Sequence, residues 1–136
     1  MEHTNRIGLD INKSKELADL LNNLLANYSI FYQNTRGYHW NISGENFFEL
    51  HLKFEELYND LFVKIDEIAE RILTLGHAPQ HRFSKYINHA EILENNEVTN
   101  GNKGIKEILS AFKLLLIKQR HILNISAEID DEGTNA

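Results

Sequence analysis

The sequence contains no cysteine and only one proline, Pro79. Without cysteine there is no disulfide framework, no thiolate zinc site, no iron–sulfur cluster and no thiol catalysis. The same absence fits a reducing compartment, and a cytoplasmic location is expected. Long apolar runs are also missing. No stretch of 18 apolar residues occurs, so no membrane span is expected. The opening residues MEHTNRIGLDINKSKE lack the apolar segment of a signal peptide. Basic residues are in deficit, with 14 Lys and Arg against 20 Asp and Glu, for a formal net charge of −6. Nucleic-acid affinity comes largely from Lys and Arg neutralising phosphates. This balance therefore argues against a dominant phosphate-binding surface and favours a site that attracts cations. Neither glycine nor proline occurs over 11–36, 45–75 or 105–132. Three long stretches free of helix breakers in a short chain predict an all-α protein.

The chain has 136 residues, of which 42% are hydrophobic and 25% charged. Those values fit one globular domain over 1–136. Helices are expected at about 12–39, 46–75 and 103–129, with a short one at 83–89. The first carries Leu17, Leu20, Leu21, Leu24, Tyr28, Phe31 and Tyr32 at amphipathic spacing. Asn12 or Ser14 is its expected cap, and Asn41-Ile42-Ser43-Gly44 reads as a turn. Gly76 and Pro79 stop the second helix. Between the second and third long helices lie about 27 residues, too many for a tight hairpin. A long crossover of this kind belongs to ferritin-like bundles. Within it Glu94 to Gly104 is expected to be loop. The stripe of the last helix is Ile105, Ile108, Leu109, Phe112, Leu115, Leu116, Gln119, Ile122, Leu123 and Ile129. Three long helices, each with a face to bury, leave a bundle short of one. Asp130-Asp131-Glu132 reads as the opening of a further helix. The expectation is a ferritin-like four-helix bundle whose fourth helix is missing from the chain; a mobile acidic tail is the alternative.

The second helix is unusual in having three stripes. One is apolar: Phe47, Leu50, Phe54, Leu57, Leu61, Ile65, Ile68, Ile72 and Leu75. One is charged and solvated, and includes Glu56 and Asp60. The third mixes Phe48, His51, Glu55, Tyr58, Phe62, Asp66, Ala69, Glu70 and Leu73. An ordinary surface helix has two faces, so the third predicts a second surface to be covered. His51 with Glu55, and Asp66 with Glu70, are i, i+4 pairs on that face. Either pair alone is more often a feature of a solvated surface than of a site; it is the four groups together, in one sector among aromatics, that point to a site. Imidazole and carboxylate together suit Fe(II), Mn(II) or Zn(II). His39, at the end of the first helix, lies a short turn away from His51. His51 and Asp66 are fifteen residues apart, about 22 Å along a helix, and cannot share one ion within a chain. They meet if two copies of the helix pack antiparallel about an axis near residues 60–61, with Tyr58 and Phe62 at its centre. A two-fold contact then creates two identical sites, each joining His39, His51 and Glu55 of one copy to Asp66 and Glu70 of the other. No Glu-x-x-His occurs in the chain, which excludes the intrachain ferritin-type di-iron site.

The segments Tyr38-His39-Trp40-Asn41, Gly44, Asn46-Phe47-Phe48-x-Leu50-His51, Phe54-Glu55-Glu56-Leu57-Tyr58 and Asp66-Glu67-Ile68-Ala69-Glu70-Arg71 resemble the Dps family, the ferritin-like mini-ferritins. The spacing His-x11-His-x14-Asp-x3-Glu carries the resemblance over nearly the whole chain. It implies a hollow homo-dodecamer of four-helix subunits, a cytoplasmic stress-response protein. The implied activity is that of a ferroxidase, oxidising Fe(II), preferably with hydrogen peroxide, and storing Fe(III) against oxidative damage. By position, His39 and His51 are the implied ligands from one subunit, and Asp66 and Glu70 those from its partner. Glu55 is auxiliary, and Trp40 is an implied electron source beside the site. A di-iron site is implied, with Zn(II) or Mn(II) as substitutes. Glu56 and Asp60 are implied at the mineral cavity, and Asp130 or Asp131 at an iron-entry pore. The family's DNA binding uses a basic tail. Here Arg6, Lys13 and Lys15 stand against Glu2, Asp10 and Glu16, so DNA binding is expected to be weak or absent. A nucleoid-compacting or structural bundle without a working ferroxidase site is the alternative function. His3, His77, His81, His89 and His121 are expected at surface, loop or packing positions.

Overall fold

Helix α1 (Ile11–Asn41) is the centre of the fold, with Leu17, Leu21, Leu24, Leu25, Phe31 and Tyr38 buried along its length. It packs against all three other helices, α2 (Phe47–Thr74), α3 (Phe83–His89) and α4 (Gly101–Glu128). The computed structural model describes residues 10–128 and Thr134. Among them there is no strand, and no helix is long and apolar enough to cross a membrane. The all-helical architecture is thus the one expected from the breaker-free stretches.

The ends of the helices follow local chemistry. Asp10 caps α1, its Oδ1 accepting from Lys13 N at 2.8 Å. Asn12 and Ser14, the expected caps, lie inside the helix, and Ser14 is buried. Asp is as good a cap as either, and from position 10 it reaches the amide three residues on. The turn between α1 and α2 places Asn46 in the left-handed region at φ 62°, where Asn is among the tolerated residues. Gly76, at φ 87°, ends α2 in a Schellman motif: Gly76 N donates to Leu73 O at 2.9 Å and His77 N to Ile72 O at 3.1 Å.

Two expectations about α4 change. The helix begins at Gly101, two residues before the expected start at about 103 and within the stretch read as loop, because Asn100 Oδ1 caps it by accepting from Lys103 N at 3.1 Å. Both glycines mark close approach of helices and not loop. A Cβ at Gly101 would lie 2.5 Å from Leu50 Cδ1, and one at Gly104 3.4 Å from Phe54 Cζ. The buried face is Gly104, Ile108, Ala111, Leu115, Ile122, Ile125 and Ser126. Ile105, Leu109, Phe112, Leu116 and Leu123, assigned to the core stripe, are exposed. The α4 helix packs on α1, and its first turn lies against Leu50 and Phe54 of α2. Ile129, the acidic residues 130–132 and the further helix expected there lie outside the described residues. Thr134 is described, and its hydroxyl accepts from Arg71 Nε at 2.8 Å.

The long crossover carries few apolar anchors, and asparagines of α1 hold it instead. Asn22 Oδ1 accepts from Gln80 N at 2.8 Å and its Nδ2 donates to Ala78 O at 3.2 Å. Asn27, wholly buried, accepts from Glu91 N and Ile92 N at 3.0 and 2.9 Å and donates to Glu91 Oε2 at 2.8 Å. Asn34 accepts from Asn95 N at 3.0 Å and donates to Leu93 O at 2.9 Å. Lys118 of α4 completes the middle anchor, 2.8 Å from Glu91 Oε2. Partial burial pushes the Glu91 carboxyl up, but bonds from Lys118, Asn27 and its own backbone outweigh this and hold it below the usual range. Buried amides left without acceptors cost ~1–3 kcal/mol each. Asn27→Ala is therefore expected to lower stability by about 2–3 kcal/mol in urea unfolding and to speed hydrogen exchange at Glu91 and Ile92.

Candidate metal centre

Two imidazoles meet where α1 ends and α2 begins. His39 is buried in the last turn of α1, and His51 is half-buried on the second turn of α2. Their rings stack with centroids 3.7 Å apart and planes 17° from parallel. Each ring is fixed by the other's backbone: His39 Nδ1 is 2.6 Å from His51 O, and His51 Nδ1 is 2.8 Å from His39 O. A carbonyl oxygen only accepts, so both Nδ1 atoms carry the proton. In the neutral ring each Nε2 then holds a free lone pair. Carbonyl-oriented histidine is the usual device for presenting imidazole to a metal. Phe47 stacks on His51 at 5.1 Å, and Tyr58 meets His39 edge-on at 5.4 Å. The turn is itself tied down, with Ile42 N donating to Tyr38 O at 3.1 Å and Ser43 N to Thr99 O at 3.0 Å.

The structure brings together only part of the expected ligand set. Glu55 is half-buried one turn beyond His51, whereas Asp66 and Glu70 are exposed farther along α2. Among the described residues no three His, Asp or Glu side chains are gathered to hold an ion. The third stripe of α2 is likewise uncovered within one chain: Phe48 is 78% exposed, Phe62 62% and Leu73 60%. Tyr58 is half-buried, meeting His39 and Tyr32 of its own chain. Glu56 and Asp60 are exposed and paired with Lys53 and Lys64 at 3.3 and 2.6 Å. His81, His89 and His121 are exposed, and His77 serves the α2 cap. His3 and the basic residue Arg6 lie outside the described residues.

Two clusters beside the imidazoles were not assembled from the sequence. Tyr38 donates to Glu107 Oε2 at 2.6 Å, and Asn95 donates to the same oxygen at 2.7 Å. Burial first, and the Glu107 carboxylate second, push the Tyr38 hydroxyl well above the usual phenol range. Tyr38 and Glu107 are 69 positions apart, so no local spacing announces the pair. An open groove of about 440 Å³ between α1, the crossover and α4 is lined by Tyr38, Asn95 and Glu107, not by either imidazole. In the second cluster the Arg36 guanidinium lies over both Tyr32 and Trp40. The i, i+4, i+8 spacing of those three residues on α1 was the available signal.

Long helices, a crossover carrying a short one, and paired imidazoles with carboxylates on a helix face define a ferritin-like helical protein. The ferritin-like domain family matches residues 18–136. A crystal structure of a Dps protein from Vibrio cholerae O1 superposes with a TM-score of 0.97 at 54% identity, covering 99% of this chain and 85% of that one. That protein is described as a member of a broad superfamily of ferritin-like diiron-carboxylate proteins. A DNA protection during starvation protein of Porphyromonas gingivalis is 43% identical over 114 residues, 84% of this chain and 72% of its own. An uncharacterized protein of Haemophilus influenzae is 51% identical over 128 residues, 94% of this chain and 80% of its own. The chain belongs to the Dps family of ferritin-like proteins.

The reciprocal bonds have a direct spectroscopic consequence. Nitrogen-15 NMR of the metal-free protein is expected to find His39 and His51 with the proton on Nδ1 in the neutral ring. Protonation on Nε2 instead would remove the free lone pairs.

Proposed function

We propose that the chain is a ferroxidase and iron-storage subunit that takes Fe(II) and hydrogen peroxide as substrates at sites shared between two copies. The observation that carries this is the mutual pinning of His39 and His51, which leaves both Nε2 atoms without a partner among the described residues. His39, His51 and Glu55 supply one half of a site; Asp66 and Glu70 of a second copy supply the other. Antiparallel packing of two α2 helices supports that pairing, since it covers Phe48, Phe62 and Leu73 while bringing the acids to the imidazoles. The mixed nitrogen and oxygen set suits Fe(II), with Zn(II) or Mn(II) as competing ions. Holding two Fe(II) together matches the electron demand of the oxidant: hydrogen peroxide, two Fe(II) and two protons give two Fe(III) and two waters, with no hydroxyl radical released. In this reading two-fold dimers build a hollow dodecamer, in the cytoplasm, where Fe(III) is deposited and oxidative damage is limited. The net charge of −6 supports cation uptake and opposes tight DNA binding.

Outer-sphere partners of metal ligands are worth 10–100-fold, so removing the ligands themselves is expected to cost at least about 100-fold. Peroxide-driven Fe(II) oxidation by His39→Ala/His51→Ala is expected to fall by that much, while sizing shows the same particle. Unchanged oxidation in an intact particle contradicts the assignment.

A further inference from the structure

The groove between α1, the crossover and α4 has two unlike ends. At one lie Lys103, Lys106 and Glu107 of α4, with Tyr38 and Asn95. At the other lie Phe31, Ala111 and Leu114. The two helices run antiparallel here: Tyr38 bonds to Glu107, and Phe31 meets Phe112 edge-on at 5.5 Å. The α4 residues that line the groove run from Lys103 to Leu114, about 16 Å along the helix. A volume of about 440 Å³ is that of a small-molecule site.

Charge at the polar end is left unbalanced by the packing. Lys103 and Glu107 are i, i+4 on α4, the spacing at which helix ion pairs form. They do not pair. Glu107 Oε2 is taken instead by the Tyr38 hydroxyl at 2.6 Å and by Asn95 Nδ2 at 2.7 Å. Lys103 and Lys106 are left without a carboxylate partner among the described residues. The crossover wall of the groove is fixed as well. Asn34 Oδ1 accepts from Asn95 N at 3.0 Å, and Asn34 Nδ2 donates to Leu93 O at 2.9 Å. Leu93 is thereby held in the lining although it is 74% exposed. Core packing does not account for an apolar side chain so placed.

We propose that this groove binds a small amphiphilic carboxylate, its head between Lys103 and Lys106 and its hydrocarbon body against Phe31, Leu93 and Leu114. Two lysines and one glutamate leave a single positive charge, which one monoanion neutralises. A phosphate monoester carries about −1.5 to −2 at neutral pH, overshoots that charge and meets Glu107. Because the walls are set before binding, little ordering opposes it.

Isothermal titration of sodium octanoate into the metal-free full chain reads the site directly. Saturable binding of one octanoate per chain is expected. Lys103→Met/Lys106→Met keeps the apolar stems and removes the charges, and is expected to weaken binding at least about tenfold. Both lysines are exposed, so the fold is expected to survive their replacement. Leu93→Ser is expected to weaken binding too, whereas Lys113→Met, on α4 outside the groove, is expected to bind as the wild type does. Octyl phosphate is expected to bind the wild type more weakly than octanoate. No saturable binding, or unchanged affinity in the double lysine variant, overturns the proposal. Tighter binding of octyl phosphate overturns the choice of a carboxylate. No iron enters the experiment, so its failure is separate from failure of the ferroxidase assignment.

Discussion

The two hydrogen bonds that His39 and His51 exchange with each other's backbone carbonyls are the constraint on which the site depends. They join the last turn of α1 to the second turn of α2, so the two longest-range choices in this corner, helix angle and turn length, are settled together. They also fix both imidazoles in one tautomer. A histidine pair free to rotate would present either nitrogen; this pair presents only Nε2. The surrounding features follow from keeping that exchange intact. Asn46 turns the chain through a left-handed residue, Ser43 is held by Thr99, and Phe47 and Tyr58 pack on the rings.

The same chain that orders its two imidazoles so closely leaves one face of α2 open. Phe48 and Phe62 stand exposed on the helix that carries the acids, at either side of its midpoint. Large exposed aromatic side chains that share a helix face with unpaired ligands are unfavourable in water and favourable in a two-fold contact. In the proposed reading, one surface accounts for both the apolar exposure and the acids that stand apart from the imidazoles. The crossover is built on the opposite logic. Its amides and carbonyls are satisfied by asparagine side chains of α1, with Lys118 and Glu91 closing the middle anchor, so a segment poor in apolar residues is still held in place.

Most of the helical architecture was legible because breaker-free stretches and 3.6-residue periodicity are local signals. The short helix 83–89 and the stop at Gly76 belong to that class. The pairing of His39 with His51 was legible too, since a turn of known length separates them. What the sequence withheld were contacts between distant positions. Asn100 as a cap made a helix of residues 101–104 that two glycines had marked as loop, and those glycines are small because Leu50 and Phe54 lie against them. Leu109 and Leu116 carry the right spacing for a core face, but periodicity does not say how wide a neighbour the face meets. Tyr38 with Glu107, and the asparagines that grip the crossover, join residues more than fifty positions apart, where spacing carries no information.

Whether each site is made by two chains is decided by co-assembly of two inactive subunits. One carries His39→Ala/His51→Ala, the other Asp66→Asn/Glu70→Gln. In a mixed two-fold pair one site receives both sets of substitutions and the other receives neither. Random pairing therefore restores about a quarter of the wild-type sites. The account predicts that unfolding and refolding the two variants together regains peroxide-driven Fe(II) oxidation near that level, while each refolded alone stays inactive. A mixture as inactive as its components would contradict the shared site.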